Sequence, residues 1–272
     1  MSLQTHRLFH IAKKAIPDSL KAVVATLYGD FNSLKTTGSL DSITSVEIET
    51  TTECNRRCSH CPNSTYTRSN YLMEESLFRK IIDELSETGF NGKIFPHFYG
   101  EPLMDNRMPD LIAYSKSRLP ASRLILHTNA DKLDEVVLKV LIEAGMDKMV
   151  ITGYNSSISE GALGIIENPD YGRFVMSSSI KEHRLFNRGG LVAIPEERRA
   201  IPSPCYVAPH TIVIMYDGNV PICCNDYLGS AVFGNISERP LMDVWNGADY
   251  RRIRQNLKRG IFELSICKKC TG

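Results

Sequence analysis

The stretch "ITSVEIETTTECNRRCSHCPNS", residues 43–64, decides how the chain is read. Its first half alternates, with Ile43, Val46 and Ile48 forming one face of a half-buried strand. Its second half sets Cys54, Cys58 and Cys61 within eight positions on the loop that follows. Zinc sites and cubic iron–sulfur clusters normally take four protein ligands, so three thiols this close leave one coordination place for something else. His60 lies inside the loop and could complete a zinc knuckle, an alternative that spacing leaves open.

The rest of the composition narrows the setting. A chain of 272 residues, 42% hydrophobic, can bury a full-sized core in one large domain, with or without a small appendage. The formal net charge is +1, and basic pairs such as Lys13-Lys14 and Arg251-Arg252 are short. No global field therefore points to nucleic acid or an anionic membrane as partner. No run approaches the length of a membrane span, and His, Arg and Lys interrupt the N-terminus too often for a secretory signal. A cytoplasmic protein is expected, in which eight cysteines serve as ligands or reactive thiols rather than disulfides.

From residue 43 to about 185 strand and helix patterns alternate. "MEESLFRKIIDELSETGF" (73–90) places Leu77, Phe78, Ile81, Ile82 and Leu85 on one helical stripe ending near Gly89. The apolar run "KIFPHFYGEP" (93–102), the helix "MPDLIAYSKSR" (108–118) and the strand "SRLILHTNA" (122–130) follow. In the helix "KLDEVVLKVLIEAGM" (132–146), Val136, Val137, Val140 and Leu141 are predicted to share a face. "DKMVITGY" (147–154) and "GRFVMSSSI" (172–180) read as further strands. The alternation predicts an α/β fold of parallel units with functional residues at the strand C-termini. Cys54, Gly100-Glu101 and Thr128-Asn129 would then share one rim, with Tyr154 and Asn155 beside them. Beyond "NRGG" (187–190), "IPEERRAIPSP" (194–204) has the composition of a linker. "HTIVIMYDGNVPICC" (210–224) predicts a hairpin turning at Asp217-Gly218, and a polar-faced helix over 242–260 precedes the terminal "CKKC".

The C-x3-C-x2-C of Cys54, Cys58 and Cys61 behind a first strand resembles the signature of the radical S-adenosylmethionine (SAM) superfamily. The resemblance implies a partial (β/α)6 barrel in which the three thiolates hold a [4Fe–4S] cluster. SAM chelates the fourth iron through its amino and carboxylate groups, which accounts for the missing ligand. "FYGEPLM" resembles the family's Gly-Gly-Glu-Pro motif, with Tyr99 in place of the first glycine and Gly100 and Glu101 retained to engage the SAM ammonium. "LHTNAD" resembles the segment that lies near the SAM ribose and carboxylate, implying that role for Thr128 and Asn129, and His60 takes the place beside the adenine. Arg188 in "FNRGG" either forks onto a carboxylate of SAM or substrate, or is a solvated loop residue.

Cys205, twelve residues, Gly218, four residues and Cys223 resemble the opening of the SPASM domains that follow many radical SAM cores. With Cys267 and Cys270 they match the shortened form, called twitch, which holds one auxiliary [4Fe–4S] cluster; a four-cysteine zinc site has the same ligands. The implied division is an N-terminal helical segment at 1–42, a radical SAM core at 43–190 and a β-hairpin-plus-helix auxiliary domain at 191–272. The implied chemistry starts with an electron from a donor such as flavodoxin or ferredoxin. A 5′-deoxyadenosyl radical then removes hydrogen from a small-molecule substrate. The expected outcome is two-electron oxidation of an alcohol, sugar or aminocyclitol, the alternatives being peptide maturation and radical epimerisation. Cys224 has no place in either cysteine set. As a strand neighbour of Cys223 it should face away from the auxiliary site, either as a small buried residue or as a hydrogen donor to a substrate radical.

Overall fold

The computed structural model describes residues 18–37, 39–153, 158–201 and 203–272. Helix α1 spans Asp18–Thr37. The start of the expected N-terminal segment, residues 1–17, and Tyr154 and Asn155 lie outside the described residues. Strand and helix then alternate as β1 (Ser45–Ile48), α2 (Glu75–Glu87), β2 (Lys93–Phe95), α3 (Met108–Arg118) and β3 (Arg123–Thr128). The series continues with α4 (Glu135–Glu143), β4 (Lys148–Gly153), α5 (Glu160–Glu167) and β5 (Val175–Ser179). A sixth strand, β6 (Thr211–Ile214), returns beside β1 to give the order β5-β4-β3-β2-β1-β6. Every pairing in this six-stranded sheet is parallel, as expected of the α/β class.

The pleat divides the sheet into two chemically different faces. Val46, Ile48, Ile94, Leu124, Leu126, Met149 and Ile151 are buried against α2–α5, where they meet Phe78, Ile81, Ile82, Leu111, Ile112 and Leu138. Each such side chain contributes about 1.5–3 kcal/mol by leaving water. The alternate positions, Glu47, Phe95, His127 and Thr152, take the other face. Helix α2 buries the predicted stripe, although Leu77 is only partly covered, and the chain leaves it through Gly89 at φ +70°.

Helix α4 differs from expectation. Val136 is 70% exposed and Val140 42%, whereas Leu138 and Leu141 are buried with Val137 and Ile142 partly covered beside them. The Asp134 carboxylate caps the helix by accepting from the Val137 N–H at 2.8 Å, which fixes the helix start and hence its phase. Four valine and leucine positions in one run could not reveal that phase.

The hairpin predicted within residues 210–224 also does not form as one unit. Its turn exists: the Gly218 N–H donates to the Met215 carbonyl and the Met215 N–H to that of Asn219, both at 2.9 Å. The two arms join different sheets. The first is β6 in the large sheet; the second, β7 (Asn219–Pro221), pairs antiparallel with β8 (Val232–Asn235), which is the C-terminal hairpin. Ile212 and Ile214 are fully buried against the core, so burial on both sides of the sheet edge outweighs local hairpin pairing.

The helix expected over 242–260 breaks at Asn246-Gly247 into α6 (Leu241–Trp245) and α7 (Ala248–Lys258). The break lets Trp245 and Tyr250 clamp the Arg254 guanidinium, which lies 3.5 and 4.5 Å from their ring centroids. Arg254 also donates to Asp41 at 3.1 Å, so this buried cation is paired. The proline-rich stretch is pinned rather than free: the Ala200 N–H donates to the Leu185 carbonyl, and the Leu185 N–H to that of Arg198, both at 2.7 Å. The chain ends in α8 (Ser265–Thr271), which carries the terminal cysteine pair.

Candidate active site

The loop after β1 carries its three cysteines in a tight turn closed by the Cys61 N–H donating to the Cys58 carbonyl at 2.9 Å. Backbone N–H groups of Arg56 and Asn63 partly offset the upward shifts of the Cys54 and Cys61 thiols. Polarity of that kind beside the sulfurs favours thiolate, and three soft donors within one turn fit an iron cluster. Burial is the main cause pushing all three thiols up, Cys58 to about 11 with added repulsion from its two neighbours. Outside the turn, Arg56 forks onto Asp131, and Asn55 reaches both Asp131 at 2.8 Å and the Asn129 side chain at 2.9 Å.

Glu101 ties this loop to β2 and β3. Its carboxylate, 4% exposed, accepts from the Thr128 hydroxyl at 2.5 Å, the Asn129 N–H at 2.9 Å and the Leu103 N–H at 3.2 Å. Its own N–H donates to the Glu53 carbonyl at 2.7 Å. A Cβ on Gly100 would lie 2.1 Å from the Thr51 carbonyl oxygen, so only glycine permits this close approach. After Asn129 the chain passes through Ala130 at φ +60°, a left-handed conformation that costs a non-glycine residue about 1–2 kcal/mol. Cys54, Glu101, Thr128 and Asn129 thus meet on one rim.

Tyr99 bridges the two cysteine sets. Its carbonyl accepts from the Asn63 side chain at 3.0 Å, and its hydroxyl donates to the Cys224 carbonyl at 2.7 Å. Tyr227 stands edge-on to its ring with centroids 4.8 Å apart and donates to Asn63 at 2.8 Å. Arg188 points inward: it lies 5.5 Å from the Tyr99 ring centroid and donates to the Asn225 side chain at 3.1 Å. Arg188 is half-buried there. Burial and the positive field of Arg188 hold His60 down to about 4, so its imidazole is neutral at neutral pH.

Cys205, Cys223, Cys267 and Cys270 line one small pocket, with Ala208, Ile222 and Leu257 among its walls. The Asn225 N–H donates to the Cys223 sulfur at 3.4 Å, and backbone N–H groups of Val207, Ala208 and Gly189 partly offset the upward shifts of Cys205 and Cys270. Burial pushes Cys267 up to about 12 and Cys270 to about 11. Among the described residues no three Cys, His, Asp or Glu side chains are gathered for a single ion. Four soft thiols, with the Asn225 N–H donating to the Cys223 sulfur, fit an iron–sulfur cluster. Cys224 is not among the lining residues; its thiol feels Glu47 and Arg188, and burial drives its pKa far up.

Glu47 and Glu49, on the same face of the first strand and its extension, escaped the sequence reading, which followed the apolar face. The alternation that made Val46 and Ile48 apolar was the available signal. Glu49 is fully buried with Arg68 forked onto it and the Tyr216 N–H 3.4 Å away. Glu47 receives no hydrogen bond from the described residues, and burial, partly offset by Arg188, pushes its pKa up to about 7. Nearby, half-buried His97 and exposed His127 lie with ring centroids 5.3 Å apart, and the pKa of each is lowered from the ordinary histidine value by desolvation. Asn63, Tyr227 and Asn225 were missed as well, because their contacts join residues more than 35 positions apart.

Residues 48–153 match the family model for the radical SAM superfamily, and residues 205–271 match SPASM, an iron-sulfur cluster-binding domain. The chain is 32% identical over 232 residues to the S-adenosyl-L-methionine-dependent 2-deoxy-scyllo-inosamine dehydrogenase of Niallia circulans, covering 84% of this chain and 92% of that protein. The crystal structure of BtrN in complex with AdoMet and 2-DOIA superposes with a TM-score of 0.78 at 29% identity, over 85% of this chain and 93% of that one. Streptococcus suis SuiB bound to its precursor peptide SuiA, at 14% identity and a TM-score of 0.54 over 82% of this chain and 69% of that one, shares the fold alone. With a SAM-type rim at one set of strand ends and a second thiol-lined cavity behind it, the chain belongs to the radical SAM superfamily, as an oxidoreductase that uses SAM, a [4Fe–4S] cluster and an auxiliary iron–sulfur cluster.

Proposed function

We propose that this enzyme oxidises a secondary alcohol on a small amine-bearing ring, an aminocyclitol or amino sugar, in the space between its two cysteine sets. Cys54, Cys58 and Cys61 hold the SAM-binding cluster, and Cys205, Cys223, Cys267 and Cys270 the auxiliary [4Fe–4S] cluster. His60, Tyr99, Gly100, Glu101, Thr128, Asn129 and Arg188 form the surroundings of SAM. Residues 43–190 make the core and 191–272 the auxiliary domain, with β6 contributed back to the core sheet. A flavodoxin- or ferredoxin-like donor supplies the electron, in the cytoplasm; among the described residues no helix is long and apolar enough to cross a membrane.

The observation that carries the reading is Glu47. It is a half-buried carboxylate with no hydrogen-bonded partner among the described residues, near Arg188 and Cys224, while its strand neighbour Glu49 already has its guanidinium. A ring ammonium would complete Glu47 and return its pKa to the ordinary carboxylate range. Neutral His97 and His127 can each donate and accept a hydrogen bond, as ring hydroxyls require. SAM and the two clusters supply, when bound, a hydrogen-abstracting 5′-deoxyadenosyl radical and an acceptor for the substrate's second electron. The protein's part is to orient the ring carbon and exclude water. Tyr99 supports that role by fixing the SAM loop to the Cys224 peptide. The test is anaerobic turnover of 2-deoxy-scyllo-inosamine beside a neutral cyclitol. Glu47→Gln should weaken binding of the amine by about 100-fold, as expected for a lost desolvated charge pair, and leave the neutral ring within threefold. Equal loss for both would sink the amine reading.

A second reading is carried by the Cys224 thiol, which senses Glu47 and Arg188 rather than lining the auxiliary cavity. From that place it could return a hydrogen atom to a substrate radical and make the net reaction an epimerisation.

A further inference from the structure

Helix α1 lies outside both matched family regions, and it is built inside out. Its inner face is small and polar: Ala22, Thr26 and Ser33 are buried, and a Cβ on Gly29 would come within 2.9 Å of the His210 ring. Asp30 anchors it by accepting from His210 at 2.8 Å and Lys258 at 2.5 Å. Its large apolar residues all point the other way. Leu27 is 62% exposed, Tyr28 65% and Phe31 60%, and Leu20, Val23, Val24 and Leu34 are exposed beside them. A surface helix normally does the reverse, hiding its bulky apolar stripe and showing its small polar side to water. A contiguous apolar stripe on a helix already fixed to the body marks an interaction surface.

We infer that a second copy of this chain covers it, helix α1 against helix α1 in a two-fold symmetric dimer. The outward residues Leu20, Val24, Leu27, Phe31 and Leu34 recur at intervals of four, three, four and three. That is the a/d spacing with which one helix meets another of the same kind, knobs into holes. No charged residue interrupts this seam. The exposed parts of Leu20, Val23, Val24, Leu27, Tyr28, Phe31 and Leu34 amount to about 700 Å² per copy, close to the share each partner brings to an interface of standard size. A two-fold axis makes the patch its own complement and closes the assembly at two subunits. A membrane surface fits less well, because interfacial helices keep a free Lys/Arg-rich face, and here the opposite face is fastened to the protein.

The full chain, anaerobically reconstituted, is examined by sedimentation velocity from 1 to 50 μM. The wild type should reach twice the 30.5 kDa of one chain. The double substitution Leu27→Glu and Phe31→Glu should weaken self-association at least 100-fold while leaving iron content and SAM cleavage unchanged. Hydrogen exchange on wild-type residues 20–34 should slow as concentration rises, which decides the matter even if the double variant folds poorly. A wild type of 30.5 kDa at 50 μM, with exchange independent of concentration, overturns the proposal. Coverage within one chain by residues 1–17 would give that result, and so would a stripe that binds only lipid vesicles. A dimer that survives the double substitution overturns it too.

Discussion

The three-cysteine loop and the four-cysteine cavity use one residue type in opposite surroundings. Cys54, Cys58 and Cys61 lie within one turn, fringed by Arg56, Asp131, Asn55 and Asn129, which hydrogen-bond to one another. Cys205, Cys223 and the Cys267-Cys270 pair come from distant parts of the chain and are walled by Ala208, Ile222, Leu257, Phe262 and Ile266. On the ligand assignment proposed above, the first site admits a polar, charged cofactor to an open iron and so needs a polar rim. The second would have all four corners filled by protein and is free to be apolar. Tyr99 and Asn63 join them, so the two sites share one rigid connection.

Removing the open site should have the largest effect. Cys54, Cys58 and Cys61 all changed to alanine should lower 5′-deoxyadenosine formation at least 10³-fold, while iron falls from about eight to about four per chain. Cleavage at the parent rate would break the comparison. Cys267→Ala with Cys270→Ala is the converse experiment. SAM cleavage should persist within threefold, iron should again fall to about four per chain, and oxidised product should disappear. Zinc in place of that iron in the parent would refute the auxiliary cluster.

Glu47 sharpens the comparison from between the two sites. Its folded pKa, about 7, lies above its ordinary value of 4.5, so over this window the folded chain keeps a proton that the unfolded chain has released. Stability therefore declines as pH rises from 4.5 through 7, by at most about 3 kcal/mol. Urea midpoints at pH 5 and pH 8 should show that decline in the substrate-free protein and much less of it in Glu47→Gln. The smallest effect is expected at Cys224. Cys224→Ala should retain iron content and turnover, with a stability loss of about 1 kcal/mol for the missing buried sulfur. A variant that cleaved SAM yet released an oxidised product absent from the parent reaction would favour the epimerisation reading instead.

Much of the fold was legible because strand and helix periods alternate so regularly. Met108–Arg118 forms the helix read from "MPDLIAYSKSR", and the stripe from Phe78 to Leu85 is buried as its spacing requires. The failures have physical causes. In α4 every candidate face contained valine or leucine, and the Asp134 cap selected among them. The arms flanking Asp217-Gly218 carry the pattern of a hairpin, but the open edge of β1 offered β6 a fully buried place. Glu47 was passed over because a strand is read first by its apolar face.

What the sequence determined by itself was whatever depends on neighbours along the chain. Three cysteines within one turn, Gly100 beside Glu101, and the paired Cys267 and Cys270 are brought together by connectivity, so their spacing alone states their geometry. Only the tertiary structure decided that residues 47, 99, 188 and 224 lie beside one another, and that α1 turns its large residues outward. Those meetings depend on the order in which parallel strands close and on which helix face finds the core. Neither is set by any local interval, because both arise from burial summed over the whole chain.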